Sequence, residues 1–430
     1  MTGAGSMPTG AAPTTASTAG SPPAGAQLPA RPHFPCFDGL RALGVMGVVA
    51  SHVGFVTGAT AQSRWGDYLA HPELAPPLFF FISAFLLYRV YVAGNFAGGS
   101  PMPVAAFWWR RLLRIVPAYW LALTVLIVAF GLHVSGPHDI VIYYGLLQIY
   151  DTHRFLGAIP QAWTLCTELS FYLFLPAYAW VLRKLGNGRD DAQRLRFELA
   201  GAVVLMGLCY VYRAAVYAQY GRTPVGRIAT HWLPGYLDVF GLGIALAALS
   251  AYVAIHGTTP FVDLIGRLSW LWWTMAIFCF WFVAKHLGLP RTPQAQNTPI
   301  GWQGDRLQLL QTAFAGLIAL PAIFGPQDRG LIRRFLQWRP IAYTGLVSYG
   351  IYLWHEGWLD KWLAWTGRPN FFELFTAHAH ISPTTYPLIL VLTVLSSLVT
   401  ATLSYYLMER PFLRMKDHVP RVFARRGTAP

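Results

Sequence analysis

The chain has 430 residues, of which 55% are apolar, 15% aromatic and only 12% charged; this balance argues against a soluble globular protein and for a chain whose main solvent is lipid. The net charge of +14 would suit a nucleic-acid binder, but the 32 Lys and Arg fall between apolar runs, so no nucleic-acid partner is expected. Cys36, Cys166, Cys209 and Cys279 stand singly in or beside apolar segments, which gives neither a metal knuckle nor a disulfide framework.

Residues 1–30 contain no charge and are rich in Ala, Gly, Pro, Ser and Thr, a composition that cannot bury enough apolar surface to fold. Residues 1–34 are therefore expected to be a disordered tail, 35–415 the membrane domain and 416–430 a second, basic tail. A span requires about 20 mostly apolar residues, because backbone groups in hydrocarbon must satisfy one another. Ten such stretches follow in order, near 40–59, 75–95, 113–133, 163–182, 198–217, 233–255, 268–287, 307–325, 341–360 and 385–408. The predicted fold class is all-α, a polytopic membrane protein of about ten helices. The apolar stretch 140–150 is too short to cross and reads as interfacial or re-entrant. With ten spans, 22 of the 32 Lys and Arg collect on the side holding both termini; the positive-inside rule predicts that this side is cytoplasmic, in a cell (inner) membrane.

Charged residues within spans are expensive and mark function. In the first span Phe37-Asp38-Gly39-Leu40-Arg41 is followed by His52. Eleven helical residues turn through about 1100°, roughly 20° past three turns, so Arg41 and His52 share a face about 16 Å apart along the axis. Asp38 lies close to the same stripe. A deep His beside a water-filled path could act as a general base toward a hydroxyl. In Arg110-Arg111-Leu112-Leu113-Arg114-Ile115-Val116-Pro117-Ala118-Tyr119, Arg110 and Arg114 are helix neighbours whose guanidiniums could converge on a phosphate. Glu168, with Tyr172 one turn on, enters the fourth span from the opposite side and is expected to meet and orient His52. His355, beside Trp354, reads most simply as interfacial, and Asp238 as a ligand or a helix-start residue. His378 and His380 have no third ligand at sensible spacing, and no metal site is expected.

In order, FDGLRALGVMGVVASH, PLFFFISAFLL, RRLLRIVPAYW, WTLCTELSFYLFLP, YLDVFGLGIALA, SYGIYLWH and ERPF resemble the acyltransferase-3 family of integral membrane proteins, whose members acylate hydroxyls on surface polysaccharides, peptidoglycan, glycolipids or secondary metabolites such as macrolides. The resemblance implies acyl-CoA, most often acetyl-CoA, as a cytoplasmic donor substrate with no permanently bound cofactor. It also implies an essential Arg-ten-residues-His pair at Arg41 and His52. The family's basic segment maps onto Arg110, Arg111, Arg114, Pro117 and Tyr119, and its WxLxxExxFYL segment onto Trp163, Glu168, Phe171 and Tyr172. Ser83 falls in the FFxxSGFL segment, where Ala84 replaces the usual Gly. Some relatives carry an esterase-like domain after the last helix; ending about twenty residues later, this chain is expected to act alone or with a separate partner.

The expectation is thus a membrane-bound O-acyltransferase acting on a carbohydrate, lipid-linked glycan or macrolide. His52, Glu168 and Asp38 are its candidate catalytic residues; Arg41, Arg110, Arg111, Arg114 and Tyr119 hold the donor, and Ser83, Tyr172 and His355 lie nearby. Intramembrane His, Glu and Asp also describe a proton-coupled transporter, but no convincing internal repeat supports that alternative.

Overall fold

A computed structural model describes residues 34–99, 102–291, 299–368 and 382–417. The two predicted tails, apart from Phe34, Lys416 and Asp417, and the His378 and His380 pair lie outside the described residues. The main helices are α1 Cys36–Thr57, α2 Ala75–Phe96, α3 Val104–Phe130, α4 Trp163–Leu185, α5 Asp191–Tyr220, α6 Leu237–His256, α7 Ser269–His286, α8 Trp302–Ile323, α9 Ser348–Trp365 and α10 Tyr386–Ser404. No strand occurs among the described residues, in keeping with the need for backbone groups in hydrocarbon to be satisfied within helices.

Among the described residues, eight helical segments are long and apolar enough to cross a membrane, and nine if α7 is counted with the short helix Pro260–Arg267, from which it bends by 67°. The ninth predicted segment, 341–360, folds as Arg339–Leu346 followed by α9. It falls short on composition because α9 carries Glu356, Asp360 and Lys361. The stretch near 140–150 forms a short helix, Gly136–Tyr144, and a 3₁₀ turn, Gln148–Tyr150. It is pinned to α3 by the Tyr119 hydroxyl and the Trp120 indole, which donate to the carbonyls of Tyr143 and Tyr144 at 2.8 and 2.9 Å.

Local chemistry sets the helix limits. Gly58 ends α1 at φ +79° and Gly131 ends α3 at φ +76°, left-handed positions that glycine adopts without a Cβ clash. The Asp190 side chain caps α5 by accepting from the backbone of Gln193 at 2.8 Å.

Small residues let the helices approach closely. A Cβ on Gly243 of α6 would stand 2.8 Å from both the Ala84 Cβ and the Phe81 carbonyl oxygen of α2. Ala84, where the family resemblance leads one to expect Gly, is therefore accommodated because the helix opposite offers no side chain. Gly345 lies so close to the start of α1 that a Cβ would fall 1.9 Å from the Asp38 carbonyl oxygen, which sets where Asp38 and Arg41 stand.

Between α5, α6 and α8 the buried Asp238 carboxylate accepts from Thr312 Oγ1 (2.7 Å), Gln308 Nε2 (2.8 Å), Tyr210 OH (3.1 Å) and its neighbour's backbone N–H at Val239 (2.8 Å). These partners make Asp238 a structural hub. Asp238→Ala is expected to lower stability by at least about 2–3 kcal/mol, because each buried donor left unpaired costs roughly 1–3 kcal/mol. Thermal unfolding in detergent measures this, and Asp238→Asn, which keeps one acceptor oxygen, should lose less.

Candidate active site

Arg41 of α1, Ser83 of α2, Arg111 and Arg114 of α3, Glu168 and Tyr172 of α4, and Tyr349 and Tyr352 of α9 line one cavity with about 900 Å³ of open space, including its solvent-facing mouth. Arg41 Nη1 is 3.2 Å from Asp38 Oδ1, one turn earlier, which orients the guanidinium. Arg111 and Arg114 are three residues apart on α3 and so present to the same side. On the opposite wall Glu168 Oε1 accepts from Ser83 Oγ and Tyr172 OH, each at 2.5 Å. The Trp108 indole donates to the Tyr172 carbonyl at 3.0 Å and ties α3 to α4. The π-helical turn Tyr405–Glu409 buries Glu409 within electrostatic reach of Arg114. Three guanidiniums around an open space suit an anionic group with several oxygens.

Farther along α1, His52 Nδ1 lies 2.9 Å from Glu356 Oε1 and 3.1 Å from His355 Nε2, both on α9. His355 is fully buried, and its Nδ1 lies 2.9 and 3.2 Å from the carbonyl oxygens of Tyr352 and Ile351. Carbonyl oxygens only accept, so the His355 proton sits on Nδ1 and its Nε2 is an acceptor. With Glu356 ionised, His52 Nδ1 then faces two acceptors and must carry the proton. The lone pair of His52 is thereby placed on Nε2, the arrangement a general base requires, with a carboxylate behind the ring to stabilise the imidazolium.

His52 is not among the residues that line the arginine cavity. Tyr352 lines it, one turn before His355 and Glu356, with its hydroxyl 3.2 Å from Thr164 Oγ1 and its ring edge-on to Phe79 at 6.2 Å. Its ring centroid also lies 6.0 Å from that of His355, so Tyr352 touches both the arginine cavity and the histidine pair. In the segment between α3 and α4, Arg154 pairs with Asp139 (2.5 Å) and Asp151 (2.9 Å). The hydrogen bond from Arg154, with one from the Ser135 backbone, holds the Asp139 carboxyl below the ordinary carboxylate range.

Residues 34–403 match the family described as Acyltransferase domain. The chain belongs to this acyltransferase family. It is 22% identical over 397 residues to a Bacillus subtilis (strain 168) protein provisionally named a peptidoglycan O-acetyltransferase, covering 88% of this chain and 55% of the relative. It is 23% identical over 348 residues to the peptidoglycan O-acetyltransferase of Listeria monocytogenes serovar 1/2a (strain ATCC BAA-679 / EGD-e), covering 76% and 49%. To nodulation protein 10 of Rhizobium leguminosarum bv. viciae it is 25% identical over 365 residues, covering 77% and 87%. The chain thus spans about half the length of the first two relatives. No solved structure matches it.

In this acyltransferase family member, Arg41, Arg111, Arg114, Ser83, Glu168 and Tyr172 come together at one cavity, while His52 and His355 meet at the other end of α1. Glu168 does not orient His52; it is committed to Ser83 and Tyr172, and the carboxylate beside the imidazole is Glu356. Asp38 does not reach the imidazole either and serves Arg41. Arg110 and Tyr119 are not among the cavity's lining residues, and Tyr119 is buried as the latch to Tyr143. His355 is no interfacial residue: it is fully buried against His52. Glu356 escaped the sequence reading although its signal was present, as a carboxylate inside an apolar run directly after His355.

Proposed function

We propose that this protein is a membrane-bound O-acyltransferase that moves an acyl group, acetyl in the simplest case, from acyl-CoA to a hydroxyl of a cell-surface carbohydrate. The observation that carries the reading is the 2.9 Å contact between His52 Nδ1 and Glu356 Oε1, deep along the helix whose other end supplies Arg41 to the arginine cavity. Family membership supports the transfer class, and the peptidoglycan O-acetyltransferase name of the Listeria relative supports a carbohydrate acceptor.

The donor's phosphates dock on Arg41, Arg111 and Arg114, at the end expected by the positive-inside rule to face the cytoplasm. The pantetheine arm runs toward Tyr352, whose side chain must yield for the thioester to reach His52. The acceptor hydroxyl gives its proton to His52 Nε2 as its oxygen attacks the thioester carbon. Collapse of the tetrahedral adduct breaks the carbon–sulfur bond, and the imidazolium returns the proton to the CoA thiolate. Glu356 steadies the imidazolium, and His355, locked to the α9 backbone, holds the ring in place.

Membranes carrying the protein, supplied with labelled acetyl-CoA and a panel of glycan acceptors, test the reading. Arg41→Met and Arg111→Met should each raise the donor KM about 10–100-fold with little change in kcat, since a charge-assisted hydrogen bond is worth roughly 1.5–3 kcal/mol. An unchanged KM in both variants would place the donor elsewhere.

A further inference from the structure

We propose that His52, His355 and Glu356 also form a site for a divalent transition metal, best suited to Zn²⁺, whose occupancy silences acyl transfer. The silencing rests on His52 being the base; the metal site itself does not. One ligand atom from each of the three residues lies within 4.8 Å of the others, and the separations of His52 Nδ1 from His355 Nε2 and Glu356 Oε1, 3.1 and 2.9 Å, are close to the roughly 3.3 Å edge of a tetrahedron built on metal–ligand bonds of about 2.0–2.1 Å.

Two further observations point the same way. Glu356 is only 6% exposed, and its Oε2 has no hydrogen-bond partner among the described residues. A buried carboxylate oxygen in that condition calls for a ligand, and a cation at Oε1 would engage it as well. His355 already has the outer partner typical of a metal-bound imidazole: its Nδ1–H donates to the Tyr352 carbonyl, which the Gln161 amide fixes from the other side at 2.7 Å. Two imidazoles and one carboxylate favour Zn²⁺ over Mg²⁺ or Ca²⁺, which take all-oxygen sites.

Coordination and base catalysis exclude each other through proton placement. Metal bonding to His52 Nδ1 moves that nitrogen's proton to Nε2, so the ring remains neutral but no longer has a lone pair for the acceptor hydroxyl. No redox change and no third reactant is involved.

Co²⁺ serves as the probe, because its visible d–d bands report bound imidazole and carboxylate without any acyl donor. Titrated into the full-length protein in detergent, Co²⁺ should give a saturable band at one equivalent that Zn²⁺ displaces and Mg²⁺ does not. His355→Gln and Glu356→Gln, checked for folding by circular dichroism and elution volume, should each weaken it at least about 10–100-fold, the loss known even for outer-shell partners; if one variant fails to fold, the other decides. No saturable band in the wild type, or a band retained in the folded variants, overturns the site. In parallel, Zn²⁺ should abolish acetyl transfer reversibly with EDTA. A Co²⁺ band without Zn²⁺ inhibition overturns the silencing, whereas a band in a protein that transfers no acetyl group under any condition counts against the proposed function and leaves the metal site standing.

Discussion

Replacing His52 with alanine is expected to lower acetyl transfer by about 10²–10⁴, the range over which a positioned general base contributes, while leaving donor binding near the wild-type value. The split follows from the layout. His52 Nδ1 is held by Glu356 and His355, whereas Arg41, Arg111 and Arg114 gather in a cavity that His52 does not line. Rates with labelled acetyl-CoA and affinities from a CoA displacement assay separate the two quantities. Loss of both together would mean that His52 acts in binding or folding; transfer unchanged would remove it from the chemistry.

Glu356→Gln should produce the second large loss, on the order of 10²–10⁴ in kcat, because an amide cannot balance the imidazolium and can turn its NH₂ toward His52, favouring the wrong tautomer. Glu168→Gln is the informative comparison. Glu168 accepts from Ser83 and Tyr172 on the cavity wall, so its replacement should fall mainly on the donor KM. If kcat drops further in Glu168→Gln than in Glu356→Gln, the two carboxylates have been assigned the wrong way round.

The contrast between these two carboxylates shows how far sequence reaches. Helical periodicity along a single segment places Arg41 and His52 on one face three turns apart; in the structure Arg41 lines the cavity whereas His52 meets α9. Which carboxylate meets His52 depends instead on α9 packing against α1, a tertiary fact with no periodic trace, so the sequence reading put Glu168 there and passed over Glu356, and Glu168 proved to have other partners. Asp238 was ambiguous for the same reason: its acceptor role is settled by Gln308 and Thr312 on α8, about 70 residues away. The spans themselves were legible from apolar length. The one that falls short on composition, α9, carries Glu356 of the site together with Asp360 and Lys361, so charges that include the site's own blur the pattern that locates its helix. Tyr119 belongs to a basic segment that resembles a donor site, yet its hydroxyl is consumed in holding the Gly136–Tyr144 helix.

The decisive measurement is a structure with a non-hydrolysable acetyl-CoA thioether bound in the full-length protein. Its phosphates should contact Arg41, Arg111 and Arg114, with the Tyr352 side chain displaced and the acetyl carbonyl within reach of His52 Nε2. Phosphates lodged instead in the separate cavity between Asn95, Arg183 and Arg194, with the acetyl end remote from His52, would contradict it.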